Sequence, residues 1–434
     1  MFLWKIFPIM AYKEIKNIYF KISALILFLI VVALYFIPAP KSDFFKLYTN
    51  NDKPAQSLKE FKSRATKEIV VAGVKWNYYA GGNGNKTIFF IHGMGGSYDL
   101  WWQQIVAFEK DYKVISYTLP ESINSLEKAS EGILKILEAE KVDKFYAVGT
   151  SMGGYITQYL VSIIPNRIEK AVFGNTFPPN NLIAEENETK SKVIPYLPEI
   201  IISKLGKKKL NKEIVPAAKN SPLLKAFLTS LPFSKEQFIN RYYIVIDKFT
   251  SFPESYKTKR IPKLILESDN DPLIQPELRK KIKELYANAE IFTFHNEGHF
   301  PYINASEQYN KLLRNFLEKE NDYETAEKTI TNYFEGRKNA NLIQLKSTFS
   351  KNTNLHTISN DEILTISLEN YLNTVNADGS QQVETRILDG DITNNIAYFK
   401  TGFIYSDKSY TDYLTLVKTQ NGWRIISKTF TKTN

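Results

Sequence analysis

The pattern of hydrophobic and polar positions begins with one long apolar run near the N-terminus. Sixteen uncharged residues, Ile22–Ile37, follow a lysine-rich start and end before two prolines. A membrane-spanning helix needs roughly twenty residues, a length that the run reaches if it includes Ile18–Phe20 and if Lys21 extends its ammonium group to the interface. We therefore predict a transmembrane helix within an anchor formed by residues 1–40.

The charges around this run predict its orientation. Lysines precede the run and few follow it, and basic residues tend to stay on the cytoplasmic side of a membrane. The predicted protein is thus a single-pass protein of the cell membrane whose domains after residue 40 are extracytoplasmic. A cleaved signal peptide and a buried helix are the alternatives, although no small-residue cleavage site follows Ile37. Residues 41–66, which are polar and without a clear period, are predicted to be a stalk or a surface helix.

Between residues 67 and 320, short apolar runs alternate with helix-like stretches. Glu68–Ala80 has the pattern of a hairpin with Gly73 in its turn, and Thr87–Ile91 is wholly apolar, as in a strand covered on both faces. Alternation of this kind predicts an α/β fold with a parallel sheet. The further strands and helices are predicted at Val114–Tyr117, Ser125–Ala139, Phe145–Val148, Tyr155–Ile164 and Ala171–Gly174.

After residue 320 the pattern changes, and we predict a separate α+β domain over residues 322–434. Ala326, Ile330 and Phe334 share one face of a helix that starts near Tyr323. Asn421-Gly422 favours a tight hairpin between the last two strands. The four predicted strands are Val383–Leu388, Ile396–Ile404, Tyr410–Val417 and Trp423–Phe430.

The amino-acid composition limits the kinds of site that the protein can contain. The 434 residues include no cysteine and only four histidines, which excludes disulfides and thiolate chemistry and leaves little material for a metal site. We expect neither a metal nor an organic cofactor. The net charge of +10 is not accompanied by regularly spaced stacking aromatics in the basic segments, so we expect no nucleic-acid partner.

The candidate chemistry centres on Gly149-Thr-Ser151-Met-Gly153. This G-x-S-x-G sequence joins a predicted strand to a predicted helix, which is the context of a nucleophile elbow. A serine on so sharp a turn projects its hydroxyl, and the N–H of Met152 at the helix start can stabilise an oxyanion. A purely structural turn is the alternative interpretation of this motif.

A glycine-rich loop, His92–Ser97, follows the wholly apolar strand. Its glycines allow the backbone N–H of Met94 to point into the space above the sheet, where it would be the second donor of an oxyanion hole. The alternative is a glycine turn that binds phosphate, but the Lys and Ser/Thr of a phosphate loop are missing.

These motifs resemble the α/β-hydrolase fold family, in particular its small esterase and C–C-bond hydrolase branch, over roughly residues 66–320. The resemblance rests on His92-Gly-Met-Gly-Gly-Ser97, Trp102 and Val148-Gly-Thr-Ser-Met-Gly-Gly154. It implies a nucleophilic Ser151 followed along the chain by an acid and a histidine. In one departure, Thr118-Leu-Pro-Glu-Ser122 stands where the family usually has an Asp and a Gly-rich turn, which implies an altered substrate mouth.

The resemblance implies that the acid follows the strand Lys263–Ser268. Asp269 and Asp271 are the candidates. Asp271 is favoured because a small residue, two spacers, Asp and a later proline match the family pattern, although Ser268 stands where glycine is commoner. Asp269 would then be a turn-capping residue.

The base should follow the strand Ile291–Phe294, where His295 and His299 are the candidates. His299 is favoured because Gly-His-Phe-Pro matches the ending of the family. In this arrangement His299 takes the proton of Ser151, and Asp271 fixes the tautomer of the imidazole.

The same resemblance implies a lid over about residues 177–261, where helical stretches are broken by prolines. We call this segment the lid. It contains fifteen Lys and Arg against eight Asp and Glu, and Lys207–Lys209 lie beside an apolar stretch. This pattern is typical either of a solvated lid face or of a surface that touches anionic lipid.

The C-terminal domain resembles the NTF2-like cone fold, in its putative lumazine-binding-like branch, on the ending Asp412–Phe430. We call it the cone domain. The resemblance implies a ligand pocket or a dimerising surface, and so a homodimer is one expected assembly, while an isomerase-like Asp/Tyr site stays open. His356, the only histidine of this domain, is predicted to be structural.

We therefore expect a membrane-anchored serine hydrolase that cleaves an ester or related acyl bond of a small molecule. A C–C-bond hydrolase or a cofactor-free peroxidase with the same triad is one alternative. A non-catalytic ligand-binding protein that dimerises through its cone domain is the other.

Overall fold

The structure of the protein, a computed structural model, describes residues 7–253 and 255–433, with side chains from Tyr19 onward. The chain divides into two compact units. The first contains the described residues up to Ile163 together with Ala171–Ser251 and Lys263–Leu313. The second contains Ile164–Lys170, most of residues 252–262 and the chain from Arg314 onward.

A helix of 28 residues, Phe7–Leu34, begins the described chain. Lys5 lies outside the described residues, and the side chains of Lys13 and Lys16 are not described. Among residues 19–253 and 255–433, whose side chains are described, no helix has the length and apolarity needed to cross a membrane. To that extent the transmembrane helix predicted within residues 1–40 is unsupported. The helices Phe44–Leu47 and Lys53–Lys62 follow in the predicted stalk.

An eight-stranded sheet runs through residues 67–294, in the order β1-β2-β4-β3-β5-β6-β7-β8. The pairs β1–β2 and β2–β4 are antiparallel, whereas β3 is parallel to β4 and β5, and β7 is parallel to β6 and β8. The strands are β1 (Lys67–Val71), β2 (Val74–Gly81), β3 (Thr87–Ile91), β4 (Lys113–Thr118), β5 (Phe145–Thr150), β6 (Ile168–Gly174), β7 (Lys263–Ser268) and β8 (Glu290–Phe294).

Local sequence explains how these strands form. Every residue of β3 and β5 is buried, as the wholly apolar runs predict. Ala72 and Gly73 join β1 to β2 with φ values of +48° and +79°, the left-handed pair that a two-residue hairpin turn requires. The helices outside the lid that lie between or after these strands in the chain are Trp102–Phe108, Leu126–Ala139, Met152–Ile163, Pro276–Leu285, Pro301–Asn304 and Ser306–Glu318.

The region after β6 that is predicted to be a lid is helical. Four of its prolines, Pro195, Pro198, Pro216 and Pro222, stand at helix starts, where a missing N–H costs least. The lid helices of the first unit are Leu182–Glu186, Glu188–Val193, Glu199–Lys209, Val215–Ala217, Pro222–Ser230 and Lys235–Ile246. The last helix of this region, Tyr256–Lys259, belongs to the second unit. There the Tyr256 hydroxyl donates to Glu327 at 2.6 Å, and Arg260 pairs with the same carboxylate at 3.2 Å.

The second unit contains a six-stranded sheet in the order β10-β9-β14-β13-β12-β11, antiparallel except for the β14–β9 pair. Its strands are β9 (Phe349–Ser359), β10 (Glu362–Ser367), β11 (Glu384–Thr393), β12 (Ile396–Ile404), β13 (Ser409–Thr419) and β14 (Gly422–Thr433). Its longer helices are Asp322–Lys338, Leu342–Thr348 and Leu368–Asp378. The predicted α+β architecture is confirmed, and the hairpin β9–β10 is an addition to it.

Candidate active site

Ser151 lies at the end of β5, on the turn into the helix Met152–Ile163. Its φ of +55° is unusual for a residue with a side chain, and strain of this kind is found at functional sites. The flanking glycines make the turn possible. A Cβ on Gly149 would collide with the carbonyl of Gly153, and a Cβ on Gly153 would collide with the carbonyl of Ile91. The turn therefore has the strand–turn–helix form of a nucleophile elbow.

Both residues predicted to supply oxyanion donors lie next to this turn. Met152 is the first residue of its helix, so its N–H has no acceptor within the helix. Met94 follows Gly93, and Gly93 packs against the serine, because a Cβ on Gly93 would lie 3.1 Å from Cβ of Ser151. Both predicted donors therefore belong to segments that adjoin Ser151.

Asp271 and His299, which follow β7 and β8, form a buried pair. Nδ1 of His299 lies 2.8 Å from Oδ2 of Asp271. The other two candidates form a pair of their own, with 2.8 Å between Nδ1 of His295 and Oδ2 of Asp269, but the His295 side chain is 80% exposed. The structure thus brings together the favoured acid and base and places the alternative pair at the surface.

Asn175 connects the buried pair to the serine turn. This residue follows β6, and its side-chain Nδ2 donates to Oδ2 of Asp271 at 2.9 Å. Its two neighbours hold the nucleophile in place. The Ser151 N–H donates to the carbonyl of Gly174 at 2.8 Å, and the Thr176 hydroxyl donates to the carbonyl of Ser151 at 2.6 Å. These contacts connect His299 and Asn175 to Asp271, and the two chain neighbours of Asn175 hold the backbone of Ser151.

The electrostatics of Asp271 fit a group that stays ionised. Burial by itself would raise the pKa of this carboxyl group, but His299, Asn175 and the N–H of Leu273 together outweigh burial and hold the pKa below its usual value. The Leu273 N–H donates to Oδ1 at 2.8 Å. A carboxylate that is charged at neutral pH can hold the Nδ1–H of His299 and orient the ring.

His92 is a structural residue of the loop after β3. It is fully buried, its Nδ1 donates to the carbonyl of Gly93 at 2.7 Å, and its Nε2 accepts from the N–H of Leu119 at 3.0 Å. Burial, with a smaller effect of Arg241, lowers the pKa of His92 to about 3. The ring is therefore neutral and ties the glycine-rich loop to the end of β4.

Arg241 holds the same loops from the lid. This residue lies on the helix Lys235–Ile246 and is fully buried, and its guanidinium donates to the carbonyls of Met94 at 2.7 Å, Gly96 at 2.9 Å and Leu119 at 2.8 Å. Burial lowers its pKa to about 10, so it remains charged at neutral pH. One lid residue thus fixes both the loop of the predicted oxyanion donor and the segment that departs from the family pattern.

Asn175 and Arg241 are the two residues that the sequence analysis missed. Asn175 directly follows a predicted strand, and the carboxyl ends of strands are where ligands gather in α/β sheets, so its position offers a usable signal. Arg241 offers none, because a lone arginine in a basic helical segment is typical of a solvated surface. Within the part of the chain that the structure describes, no group of three or more His, Asp or Glu side chains is suited to a metal ion.

Comparisons with known families agree with this architecture. The family model described as the alpha/beta hydrolase fold matches residues 86–306, just over half of the 434 residues. A second family model, described as putative lumazine-binding, matches residues 321–431. Both predicted families are therefore confirmed.

Relatives of known name resemble the hydrolase part of the chain. A putative esterase/lipase of Haemophilus influenzae is 23% identical over 260 residues, which cover 54% of this chain and 83% of that protein. Maspardin of Danio rerio is 23% identical over 233 residues, which cover 52% of this chain and 72% of that protein. These matches span most of each relative.

Solved structures show the same fold. A hydrolase from Pseudomonas aeruginosa has a TM-score of 0.51 and 18% identity, and the match covers 59% of this chain and 100% of that one. The enol-lactonase from Burkholderia xenovorans has a TM-score of 0.50 and 18% identity, with 58% of this chain and 100% of that one covered. The chain is a hydrolase and belongs to the α/β hydrolase fold family.

Proposed function

We propose that the protein hydrolyses carboxylic esters or related acyl bonds, with Ser151 as nucleophile, His299 as base and Asp271 as the acid that orients it. The observation that carries the proposal is the buried Asp271–His299 pair, which Asn175 links to the strained Ser151 turn. A buried Asp–His pair and a serine held at a positive φ are both features that cluster at functional sites.

The geometry supports the following steps. Asp271 holds Nδ1 of His299, so Nε2 is the nitrogen that accepts the Ser151 proton as Oγ attacks the acyl carbon. The N–H groups of Met94 and Met152 stabilise the oxyanion, and one such donor is typically worth about 3 kcal/mol in the transition state. His299 then gives its proton to the leaving group. A water molecule, activated by the same histidine, releases the acyl group from the serine.

The name of one relative supports the ester class, because the Haemophilus influenzae protein is a putative esterase/lipase. A C–C-bond hydrolase and a cofactor-free peroxidase would use the same three residues, and both stay open as alternatives. Activity on esters of graded acyl chain length would separate them from an esterase. Dimerisation through the cone domain stays a prediction.

Two experiments test the triad. A fluorophosphonate probe labels only an activated serine, and it should label the wild-type protein but not Ser151→Ala. On p-nitrophenyl esters of graded chain length, Ser151→Ala and His299→Ala should each lower kcat by about 10³-fold or more, and the double variant should be little worse, because triad residues act as a unit. Full activity of Ser151→Ala would exclude the proposed mechanism.

We also propose that residues 1–40 anchor the protein in a membrane. Large apolar side chains between Tyr19 and Ile37 are exposed, among them Phe20 at 74% and Phe36 at 82%, and such a surface favours an apolar environment. The end of this segment contacts the lid, since the N–H of Ala39 donates to the carboxylate of Glu199 at 2.8 Å. In the proposed arrangement the domains are extracytoplasmic, and the basic lid faces anionic lipid.

A further inference from the structure

The cone domain contains a buried charged cluster that the proposed hydrolysis does not use. Lys428 of β14, Asp412 of β13 and Tyr333 of the helix Asp322–Lys338 are 5%, 1% and 0% exposed. The Lys428 ammonium lies 2.9 Å from the Asp412 carboxylate and donates to the Tyr333 hydroxyl at 2.7 Å. The Tyr333 hydroxyl donates in turn to the same carboxylate at 2.7 Å.

Stability does not account for this cluster. Removing two charges from water is expensive, and apolar residues of similar volume often stabilise a core as well as a buried ion pair does. The cluster also interrupts an otherwise apolar core, which includes Phe349, Phe399, Leu414 and Leu416. A buried charged group of this kind, which the proposed hydrolysis does not use, points to a binding role.

The cluster has donors left over. An ammonium group has three N–H donors, and Lys428 uses two of them on Tyr333 and Asp412. Arg337 lies one helical turn after Tyr333, and its Nη2 donates to Asp378 at 2.8 Å. Its Nη1 is buried and has no hydrogen-bond partner among the described residues. Unused donors on two cations call for an acceptor that carries negative charge.

Aromatic rings surround these donors. The Lys428 ammonium lies 4.9 Å from the ring centre of Phe430 and 5.0 Å from that of Tyr371, and the Arg337 guanidinium lies 6.0 Å from the ring centre of Tyr405. Burial raises the pKa of Tyr405, while Arg337 and Lys428 both act to lower it, so both cations lie near this hydroxyl group. Tyr371 and Tyr405 are only partly buried.

We propose that the cone domain binds a small planar organic anion, such as an aromatic carboxylate, whose charged group is held by Arg337 and Lys428. The rings of Tyr371 and Tyr405 contact its planar part, and Asp412 with Tyr333 fixes the ammonium of Lys428. Binding makes and breaks no covalent bond. The inference is independent of the proposed esterase activity, because it concerns different residues and a ligand without a scissile bond.

Calorimetric titration of the full-length protein with cinnamate tests this site, and cinnamamide is the matched uncharged compound. We expect saturable binding of cinnamate and at least about tenfold weaker binding of cinnamamide, because a charge-assisted hydrogen bond would be lost. Absence of saturable cinnamate binding up to about 1 mM, or equal affinity for the two compounds, would overturn the proposal.

Three variants test whether cinnamate binds at Arg337 and Lys428. Arg337→Met and Lys428→Met should each raise the Kd for cinnamate at least about tenfold, whereas Lys432→Met, which removes an exposed lysine of the same strand, should leave it unchanged. Lys428→Met leaves Asp412 without its cation, so Arg337→Met decides the outcome if the former does not fold. An unchanged Kd in Arg337→Met would place cinnamate elsewhere, for example in the hydrolase site, and would refute the proposal.

Discussion

Two Asp–His pairs follow β7 and β8, and they differ in their surroundings rather than in their geometry. Both pairs have 2.8 Å between Nδ1 and Oδ2. Asp271 also accepts from Asn175 and is buried with His299, whereas His295 is largely in solvent, where an ion pair contributes little. Only the buried carboxylate can fix an imidazole in a site from which water is excluded.

Asp271→Asn should therefore impair turnover strongly while Asp269→Asn, the matched change two residues away, should have a mild effect. The amide cannot hold the Nδ1–H tautomer of His299, so we expect kcat to fall on the order of 10²–10⁴-fold. Ester hydrolysis by the two purified variants measures the difference. Equal losses, or a larger loss in Asp269→Asn, would contradict the assignment.

The lowered pKa of His92 leads to a prediction of how the free energy of unfolding depends on pH. In the folded protein its pKa is lowered to about 3, whereas an unfolded imidazole takes up its proton near pH 6.5. Between these values the unfolded chain binds more protons, so the free energy of unfolding decreases as the pH falls. From pH 7 to 5 the contribution of one histidine is up to about 2 kcal/mol.

The test compares wild type with His92→Gln, in which the side chain cannot titrate, by denaturant unfolding at pH 7 and pH 5. The decrease in unfolding free energy between these pH values should be smaller in His92→Gln. His356→Gln serves as control, because His356 lies on β9 of the cone domain and its Nδ1 contacts the Thr365 hydroxyl at 3.2 Å. Equal pH dependence in wild type and His92→Gln would rule out a neutral His92.

The sequence predicts the proposed catalytic residues better than the residues that position them. Ser151 and His299 lie in short motifs whose local pattern carries the chemistry, and the structure places them in that local context. Asn175 and Arg241 act on residues that are far away in the chain, such as Asp271 and Met94. A contact of that kind depends on the assembled sheet and lid, which no local pattern records.

Among the lid helices, Lys235–Ile246 holds the loop of the proposed oxyanion donor Met94 through Arg241. Arg241→Met should lower kcat by about tenfold to a hundredfold with little change in KM, because the loop of Met94 loses its support and the oxyanion donor is displaced. Lys248→Met, an exposed lid position, is the control. Steady-state kinetics on one ester separates the two parameters, and a change in KM alone would contradict a positioning role.

Strands whose side chains are all buried could be predicted from the sequence. Strands with many exposed side chains were harder to predict. The buried β3 and β5 stand out in the sequence as short apolar runs. The hairpin β9–β10 does not, because most of its side chains are exposed and polar residues dominate β9. Its turn has Asn360 and Asp361 at φ values of +49° and +63°, a two-residue signal that the pattern of apolar residues does not contain.

At the scale of the whole molecule, the proposed anchor and the basic lid predict how the protein is attached to the membrane. Full-length protein should resist washing with sodium carbonate, and protease added from the outer side should digest the hydrolase domain but spare a tag at residue 1. Protein without residues 1–40 should be soluble and active, since none of the proposed catalytic residues lies there. Release of a shorter form that starts near Lys41 would instead indicate a cleaved signal peptide.

The three hydrogen bonds of Arg241 also restrict how the lid can be exchanged. Segments inserted between sheet elements are natural sites for grafting, because loops tolerate substitution better than the scaffold does. A chimaera that receives a foreign lid would lose the guanidinium that holds the carbonyls of Met94, Gly96 and Leu119. The loop of Met94 beneath the new pocket would then lack the hydrogen bonds that hold it. A graft that alters substrate preference should therefore begin after Arg241 or retain an arginine at its place.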